Sequence, residues 1–558
     1  MSDTLRLVLV SIHVRRDDQA VPLGAACVAS AVKADPDLGS RCSVVLVDSF
    51  PEEGARELAD RVAGLAPDLV GFSLYLWNRD TALGAARRLR ALLPDAVLFS
   101  GGPDATARLA GLVADPAAET SGPFDFVVAG EGEGATVAAL RALLAGEDFS
   151  AIPGVFAPAA ATDPAPPCRA PIEDPASLPS PWLDGTLVPR SGGGTLWELA
   201  RGCPYACAYC YESKGERRLR RIPAARLSAE LDLFVREKVA SVFVLDPTFN
   251  ADKERARSLL DRIAAVAPDI HFHFEARAES LDRGLAKRFA AVGASLQIGL
   301  QTARPEIAEQ VGRTLDRGLF ASRIGLLNEE GAVFGLDLIY GLPGDDLAGY
   351  RGSLDFALSL FPNNLDLFRL AVLPGTTLAD GAAALGLDWD REAPYLVRST
   401  PTFPAADLAA AERLSTAADL FYNRGRAVAW FNQVLHPLSE KPSFFLEGFA
   451  AFAERAGPPD SADPVGIERL QLDYLTARFA GAELDYLLPA VWDVVRFNGA
   501  WSRALAEGIE TAIEFNYDPD AVLSPDAQDL EEFAALAERS PTRARVVCGE
   551  DGPELIVL

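Results

Sequence analysis

Histidine and cysteine are scarce in this 558-residue chain, with four of the first (His13, His271, His273 and His436) and seven of the second. Seven cysteines in so long a chain exclude a disulfide framework. No apolar run approaches the length that spans a bilayer. The early "LRLVLVSI" is short and followed by "RRDD", so it reads as a buried strand and not as a signal peptide. A cytoplasmic protein with no membrane partner is the expectation. Positive charge is also in deficit: 52 Lys and Arg against 79 Asp and Glu give a formal charge of −27. A field of that sign repels phosphate backbones, so nucleic acid is not an expected partner. "ERRLRR" (216–221) is the one notable basic run. It reads as a salt-bridged surface segment, or as an offset to a bound anionic group beside it. No repeat of fixed period and no low-complexity tail is evident.

What is present is the composition of a globular protein, 49% hydrophobic and 23% charged, long enough for about three or four domains. Residues 1–150 alternate strand and helix. Apolar runs at "LRLVLVSI" (5–12), "SVVLVDS" (43–49), "DLVGFSLY" (68–75), "AVLFSGG" (96–102) and "FDFVVAGEGE" (124–133) are separated by helical stretches. This predicts an α/β, Rossmann-like, doubly wound parallel sheet, with a ligand beyond the carboxyl ends of its strands. Glycines in "SGGPD" (100–104) and "AGEGEG" (129–134) fall at that edge. Residues 151–193 form a Pro/Ala-rich linker. A second alternating set, "GTLWELA", "SVFVLD", "HFHFEAR", "SLQIGLQ", "FGLDLIYG" and "LDLFRLAV", lies within 194–400. Six strand–helix units in succession predict a partial TIM barrel. Residues 401–558 read as mainly helical, closing on a hairpin around "GEDG" (549–552).

Cys27, Cys42 and Cys548 read as small core residues and Cys168 as a loop residue. Cys203, Cys207 and Cys210 differ, because "RGCPYACAYCYESKG" (201–215) sets them in C-x3-C-x2-C spacing directly after the first barrel strand. Structural zinc needs four ligands, usually two separated pairs, and no second pair follows. Three thiolates suit a 4Fe-4S cluster with one iron left open to a substrate or cofactor.

With an aromatic residue before the last cysteine, this stretch resembles the signature of radical S-adenosylmethionine (SAM) enzymes. The resemblance implies that Cys203, Cys207 and Cys210 ligate the cluster, that the open iron binds SAM, and that Tyr209 lies against its adenine. Other barrel segments fit the same family in order. "LDPTFN" (245–250) departs from the usual Gly-Gly-Glu form and offers Asp246, Thr248 and Asn250. "FEARAE" (274–279) offers Glu275 and Arg277, which would otherwise be a buried ion pair. "QIGLQ" (297–301) offers Gln297 and Gln301. "DLIYGLPGD" (337–345) looks like the adenine-contacting segment, with Tyr340, Gly341, Leu342 and Pro343. The N-terminal region resembles the cobalamin-binding domain of one large subfamily. The matching stretches are "GFSLYLWN" (71–78), "SGGPDAT" (100–106) and "VVAGEGEGA" (127–135), with Gly101, Gly102, Pro103, Gly130, Glu131 and Glu133.

The Asp-x-His-x-x-Gly motif that supplies a cobalt-ligating histidine is missing, and His13 lacks both its companions. Base-off cobalamin without a protein histidine is therefore the expectation, its lower face left to Tyr75, Trp77 and Asn78; Trp77 reads equally as a core or interdomain anchor. The resemblance implies a cobalamin-dependent methyltransferase acting on an unactivated carbon of a small-molecule or peptide-type natural-product precursor, supplied with electrons by a flavodoxin or ferredoxin. The alternatives are a polar methyl transfer, such as to the indole of tryptophan, with Glu275 at the open iron; a non-methylating rearrangement or cyclisation; and an electron-carrying cluster protein.

Overall fold

The computed structural model describes residues 4–17, 19–109, 111–113, 122–149, 151–157, 171–460, 463–549 and 552–558. Cys168 lies outside these residues, with the rest of 158–170 in the Pro/Ala-rich linker. In the N-terminal part, β1 (Leu5–Ile12), β2 (Cys42–Ser49), β3 (Leu69–Ser73), β4 (Val97–Gly101), β5 (Phe126–Val128) and β6 (Val155–Phe156) form one sheet in the order β2-β1-β3-β4-β5-β6. The first five are parallel; β6 returns antiparallel to β5 and is too short for its sequence to announce. The chain reverses direction of winding between β1 and β3, the point where such sheets bind ligands. Helices α1 (Leu23–Ala34) and α5 (Gly132–Ala145) cover one face, α2 (Ala55–Ala63) and α3 (Arg79–Leu92) the other, and a short α4 (Pro103–Ala107) follows β4. Each face has its own apolar core, one around Leu9, Phe99 and Phe126, the other around Val10, Phe72 and Leu98. The expected strand over 124–133 ends at Val128. Gly130, at φ +81°, turns the chain into α5, a conformation that costs glycine little.

The second sheet runs β7 (Gly194–Glu198), then, after a small antiparallel pair β8 (Ala200–Arg201) and β9 (Arg220–Arg221), β10 (Ser241–Leu245), β11 (His271–Ala276), β12 (Ser295–Gln301), β13 (Val333–Tyr340) and β14 (Asn364–Arg369). Its order is β14-β13-β12-β11-β10-β7, all parallel, with β7 and β14 as its edges: an open partial barrel. Burial alternates along these strands. Phe272, Phe274, Leu296, Ile298, Leu336 and Leu338 pack outward against the helices, whereas His273, Glu275, Gln297, Asp337 and Asp366 occupy the other face. Strands of period two thus bury an apolar outside and leave a polar inside.

Beyond residue 400, helices Ala405–Ala418, Pro442–Ala456, Pro464–Gly481 and Leu488–Glu507 pack around an aromatic cluster of Phe421, Phe445, Phe449 and Tyr474. The expected hairpin (Arg539–Gly549 with Gly552–Val557) gains a third strand, Thr511–Tyr517, which the sequence reading did not assign. Cys548 there is exposed, not a core residue.

Candidate functional site

The carboxyl edge of the first sheet carries a cavity of about 180 Å³ between the strands and helices α1 and α5. Gly24, Gly71, Gly101, Gly102, Gly130 and Gly132 line it, so much of its wall is backbone. At Gly24 a Cβ would meet only the Tyr75 hydroxyl, at 3.6 Å, so this glycine leaves cavity space that a side chain would fill. Gly102 has a different reason: its Cβ would lie 2.7 Å from the Leu74 carbonyl oxygen, where two loops press together. Pro103 follows as the first residue of a short helix, Pro103–Ala107. Tyr75 lines the cavity and stacks on Trp77, ring centroids 4.4 Å apart. Trp77 is not a core residue. It is 47% exposed, held by donation from its Nε1 to the Ile12 carbonyl at 3.0 Å. Asn78 corrects the sequence reading. It is buried, its Nδ2 donating to the Ser73 and Ile12 carbonyls and its Oδ1 accepting from Tyr75 N, so it shapes the loop and offers nothing to a ligand. His13 pairs through Nε2 with Asp48 at 2.8 Å.

The cysteine loop leaves the barrel at β8 and returns at β9. Cys207 is buried; Cys203 and Cys210 are half-buried. Desolvation pushes the Cys210 thiol up to about 11 and raises Cys203, so binding a metal there releases protons. Among the described residues no three His, Cys, Asp or Glu side chains gather closely enough to share one metal ion. Zinc would draw its thiolates to about 2.3 Å from one centre; a cubane gives each thiolate its own iron, and this donor set fits it. Two cations adjoin the loop. The Arg277 guanidinium lies 4.1 Å from the Tyr205 ring centroid. Arg313, which sequence reasoning missed, reaches Cys207 Sγ at 3.8 Å and the Tyr209 hydroxyl at 3.4 Å. Burial raises the Tyr209 phenol well above its usual range. Of "ERRLRR", Arg218, Arg220 and Arg221 are salt-bridged, to Glu173, Glu131 and Asp252.

Inside the barrel, Glu275 has no hydrogen bond or ion pair among the described residues. Solvent reaches it through the open mouth, yet the enclosing walls, and secondarily the Asp246 carboxylate, raise its pKa. Gln297 Nε2 donates to both Asp337 and Asp366, the second at 2.8 Å. Burial, with the two neighbouring carboxylates Asp366 and Glu275, brings Asp337 up to about 7. Neither aspartate was singled out from sequence, although alternation along β13 and β14 sets both on the Gln297 face. A raised carboxyl pKa makes the native state hold a proton that the unfolded chain has released. The stability difference is therefore greatest below the ordinary value of 3.8 and is lost as pH rises to about 7. Thermal unfolding from pH 4 to 7 should show Asp337→Asn losing less stability with rising pH than wild type; parallel profiles would contradict the assignment. Gln301 sits at φ +69° with its Oε1 buried and unpartnered, a strained position beside a register shift.

Several sequence-derived candidates prove internal. Asn250 is fully buried and exchanges two hydrogen bonds with the backbone of Arg277, at 2.8 and 2.9 Å, tying the loops after β10 and β11. Asp246 is buried, accepts from Thr248 N and faces Arg255 at 3.7 Å. Thr248 is buried with its hydroxyl unpartnered. Tyr340, Gly341, Leu342 and Pro343 are all covered. Tyr340 packs on Tyr350, and a Cβ on Gly341 would strike Val397 at 2.8 Å and Leu408 at 3.0 Å. The chain after β14 thus closes over the segment expected to meet adenine.

The two loop systems meet. Arg201, on the strand entering the cysteine loop, lines the first-sheet cavity and bonds Glu133 at 2.7 Å and Glu198 at 3.0 Å. Arg220, on the strand leaving it, pairs with Glu131 at 2.6 Å. Glu131 and Glu133 are therefore engaged by protein cations at the cavity rim.

Residues 197–357 match the family model of the radical SAM superfamily and residues 12–140 that of the B12 binding domain. The chain is 26% identical over 350 residues to the cobalamin-dependent radical SAM methyltransferase TokK of Streptomyces tokunonensis, covering 58% of this chain and 49% of that protein. It is 32% identical over 237 residues to the 2-(S-pantetheinyl)-carbapenam-3-carboxylate methyltransferase of Streptantibioticus cattleyicolor, covering 40% and 34%. The alignments thus span half or less of these curated relatives. In fold, it is similar to the cobalamin-dependent SAM radical enzyme OxsB with aqua-cobalamin and SAM bound (TM-score 0.61, 13% identity, 96% of this chain and 83% of that one). It is also similar to the methyltransferase TsrM of Kitasatospora setae with cobalamin and a 4Fe-4S cluster (TM-score 0.55, 18% identity, 71% and 79%). No described helix is long and apolar enough to cross a membrane. The chain thus carries a region matching the B12 binding domain followed by one matching the radical SAM superfamily, in the fold of solved enzymes that hold cobalamin, SAM and a 4Fe-4S cluster.

Proposed function

We propose that the chain is a cobalamin-dependent radical SAM methyltransferase that moves a methyl group from SAM, by way of cobalamin, to an unactivated carbon of a small-molecule or peptide-type precursor. The observation that carries this reading is the position of Arg201, which borders the first-sheet cavity and stands two residues before Cys203. A cofactor seated at each site would flank one shared space, as transfer between two centres requires. When bound, cobalamin carries the methyl group, and the reduced cluster cleaves SAM. Cys203, Cys207 and Cys210 would hold three irons, with Arg313 and Arg277 balancing their charge. The glycine-lined cavity would admit the flat base of base-off cobalamin, with His13 left to Asp48 and Tyr75 and Trp77 at the rim. The polar barrel interior would receive the substrate, and a flavodoxin or ferredoxin would supply electrons. The methyltransferase names of the two curated relatives support the reading.

Anaerobic turnover with a reductant and a panel of carrier-bound and amino-acid precursors tests it. Methylated product should accompany 5′-deoxyadenosine and S-adenosylhomocysteine in comparable amounts. Deoxyadenosine with an unmethylated, rearranged product would overturn it. A polar transfer is favoured by one observation: Glu275 has no protein partner among the described residues and faces the barrel interior, free to occupy the open iron. Methylated product without deoxyadenosine would select that route, and Glu275→Gln should then restore SAM cleavage.

A further inference from the structure

The cysteine loop is anchored at its base by charge. Its two stems pair antiparallel, Ala200 with Arg221 and Arg201 with Arg220. From one stem Arg201 crosses to Glu133; from the other Arg220 crosses to Glu131 and also donates to the Ile172 carbonyl at 2.8 Å. Glu131 and Glu133 flank the start of α5, in the other domain, and both line the cavity. The Arg220 and Glu133 side chains are only 4% and 6% exposed. Buried, hydrogen-bonded ion pairs tolerate little displacement, because a charge left without its partner is costly. The cavity rim and the stems of the cysteine loop therefore cannot shift independently.

We propose that Arg201 and Arg220 are positioning residues that couple the two cofactor sites, so that a ligand in the cavity and a cluster in the loop bind cooperatively. The inference rests on the proposed pairing of cobalamin with the cavity and of the cluster with the loop. A ligand seated in the cavity fixes the rim glutamates; these fix the stems, and the loop is left with fewer arrangements to lose when it closes on iron. Linkage makes the effect reciprocal, so a cluster in the loop must tighten the cavity for its ligand by the same factor.

The test is the affinity of the full chain for hydroxocobalamin, titrated anaerobically with and without the reconstituted cluster. Wild type should bind about tenfold more tightly when the cluster is present, within the usual range of coupling between sites. Arg220→Met, at a position outside the cavity lining, should lose most of that ratio while still binding both cofactors. Arg220→Lys, which keeps the charge, should retain more of it than Arg220→Met. Equal affinity with and without the cluster in wild type overturns the inference whatever the variants do, as does an undiminished ratio in Arg220→Met. A chain that binds neither hydroxocobalamin nor iron refutes the functional reading itself; one that binds both independently refutes only the coupling.

Discussion

Replacing Cys203, Cys207 or Cys210 with alanine is expected to reduce reconstituted iron and sulfide to background and to abolish product formation, while leaving the fold unchanged. The three thiols stand on one loop, and residues that act as one unit fail together when any is removed. Activity should therefore fall at least about a thousandfold in each single variant, and hardly further in the triple variant. Folding should not suffer, because the loop's stems are held by Arg201 and Arg220, and its neighbours Gly312 and Arg313 belong to the barrel. Of the three only Cys207 is buried, and alanine there removes a single sulfur atom. Circular dichroism and melting temperature serve as controls. A variant that keeps a full complement of iron would show that its cysteine is not a ligand.

Filling the first-sheet cavity should have the second-largest effect. Gly24→Phe is expected to weaken cobalamin binding at least about a hundredfold, roughly 3 kcal/mol, while cluster content and SAM binding persist. The position suits the test. Gly24 lies in the first turn of α1, lines the cavity, and its Cβ would meet nothing nearer than the Tyr75 hydroxyl at 3.6 Å. Glycine within a helix costs about 1 kcal/mol relative to alanine, so a larger residue there need not destabilise the chain. Gly71→Ala is the contrasting change. Its Cβ would lie 2.4 Å from the Phe99 ring and 2.8 Å from Leu9, inside the core, and should lower stability as well as binding. Undiminished cobalamin affinity in Gly24→Phe would place the cofactor elsewhere.

The framework of both domains was legible because it rests on local pattern. Runs of β-branched residues marked β1 to β4 and most of the barrel strands to within a residue or two, but overran the ends of β5 and β14, and the cysteine spacing marked the loop. What escaped depends on residues far apart in the chain. The pairings of Arg220 with Glu131 and of Arg201 with Glu133 join positions whose separation no period encodes. Asn78 and Asn250 read as free polar groups because sequence cannot show that backbone carbonyls and amides consume their side chains. Tyr340 to Pro343 read as open to a ligand because Val397 and Leu408, which cover Gly341, come more than fifty residues later. Asp337 and Asp366 were recoverable in principle, since each keeps the strand parity that sets Gln297 on the inner face.

A single spectroscopic measurement bears most directly on the vacant iron corner. The anaerobically reconstituted, reduced protein should give the electron paramagnetic resonance signal of a 4Fe-4S cluster, and adding SAM should change its g-values and line shape. A signal indifferent to SAM, or a reconstituted protein that retains zinc in place of iron, would contradict the account.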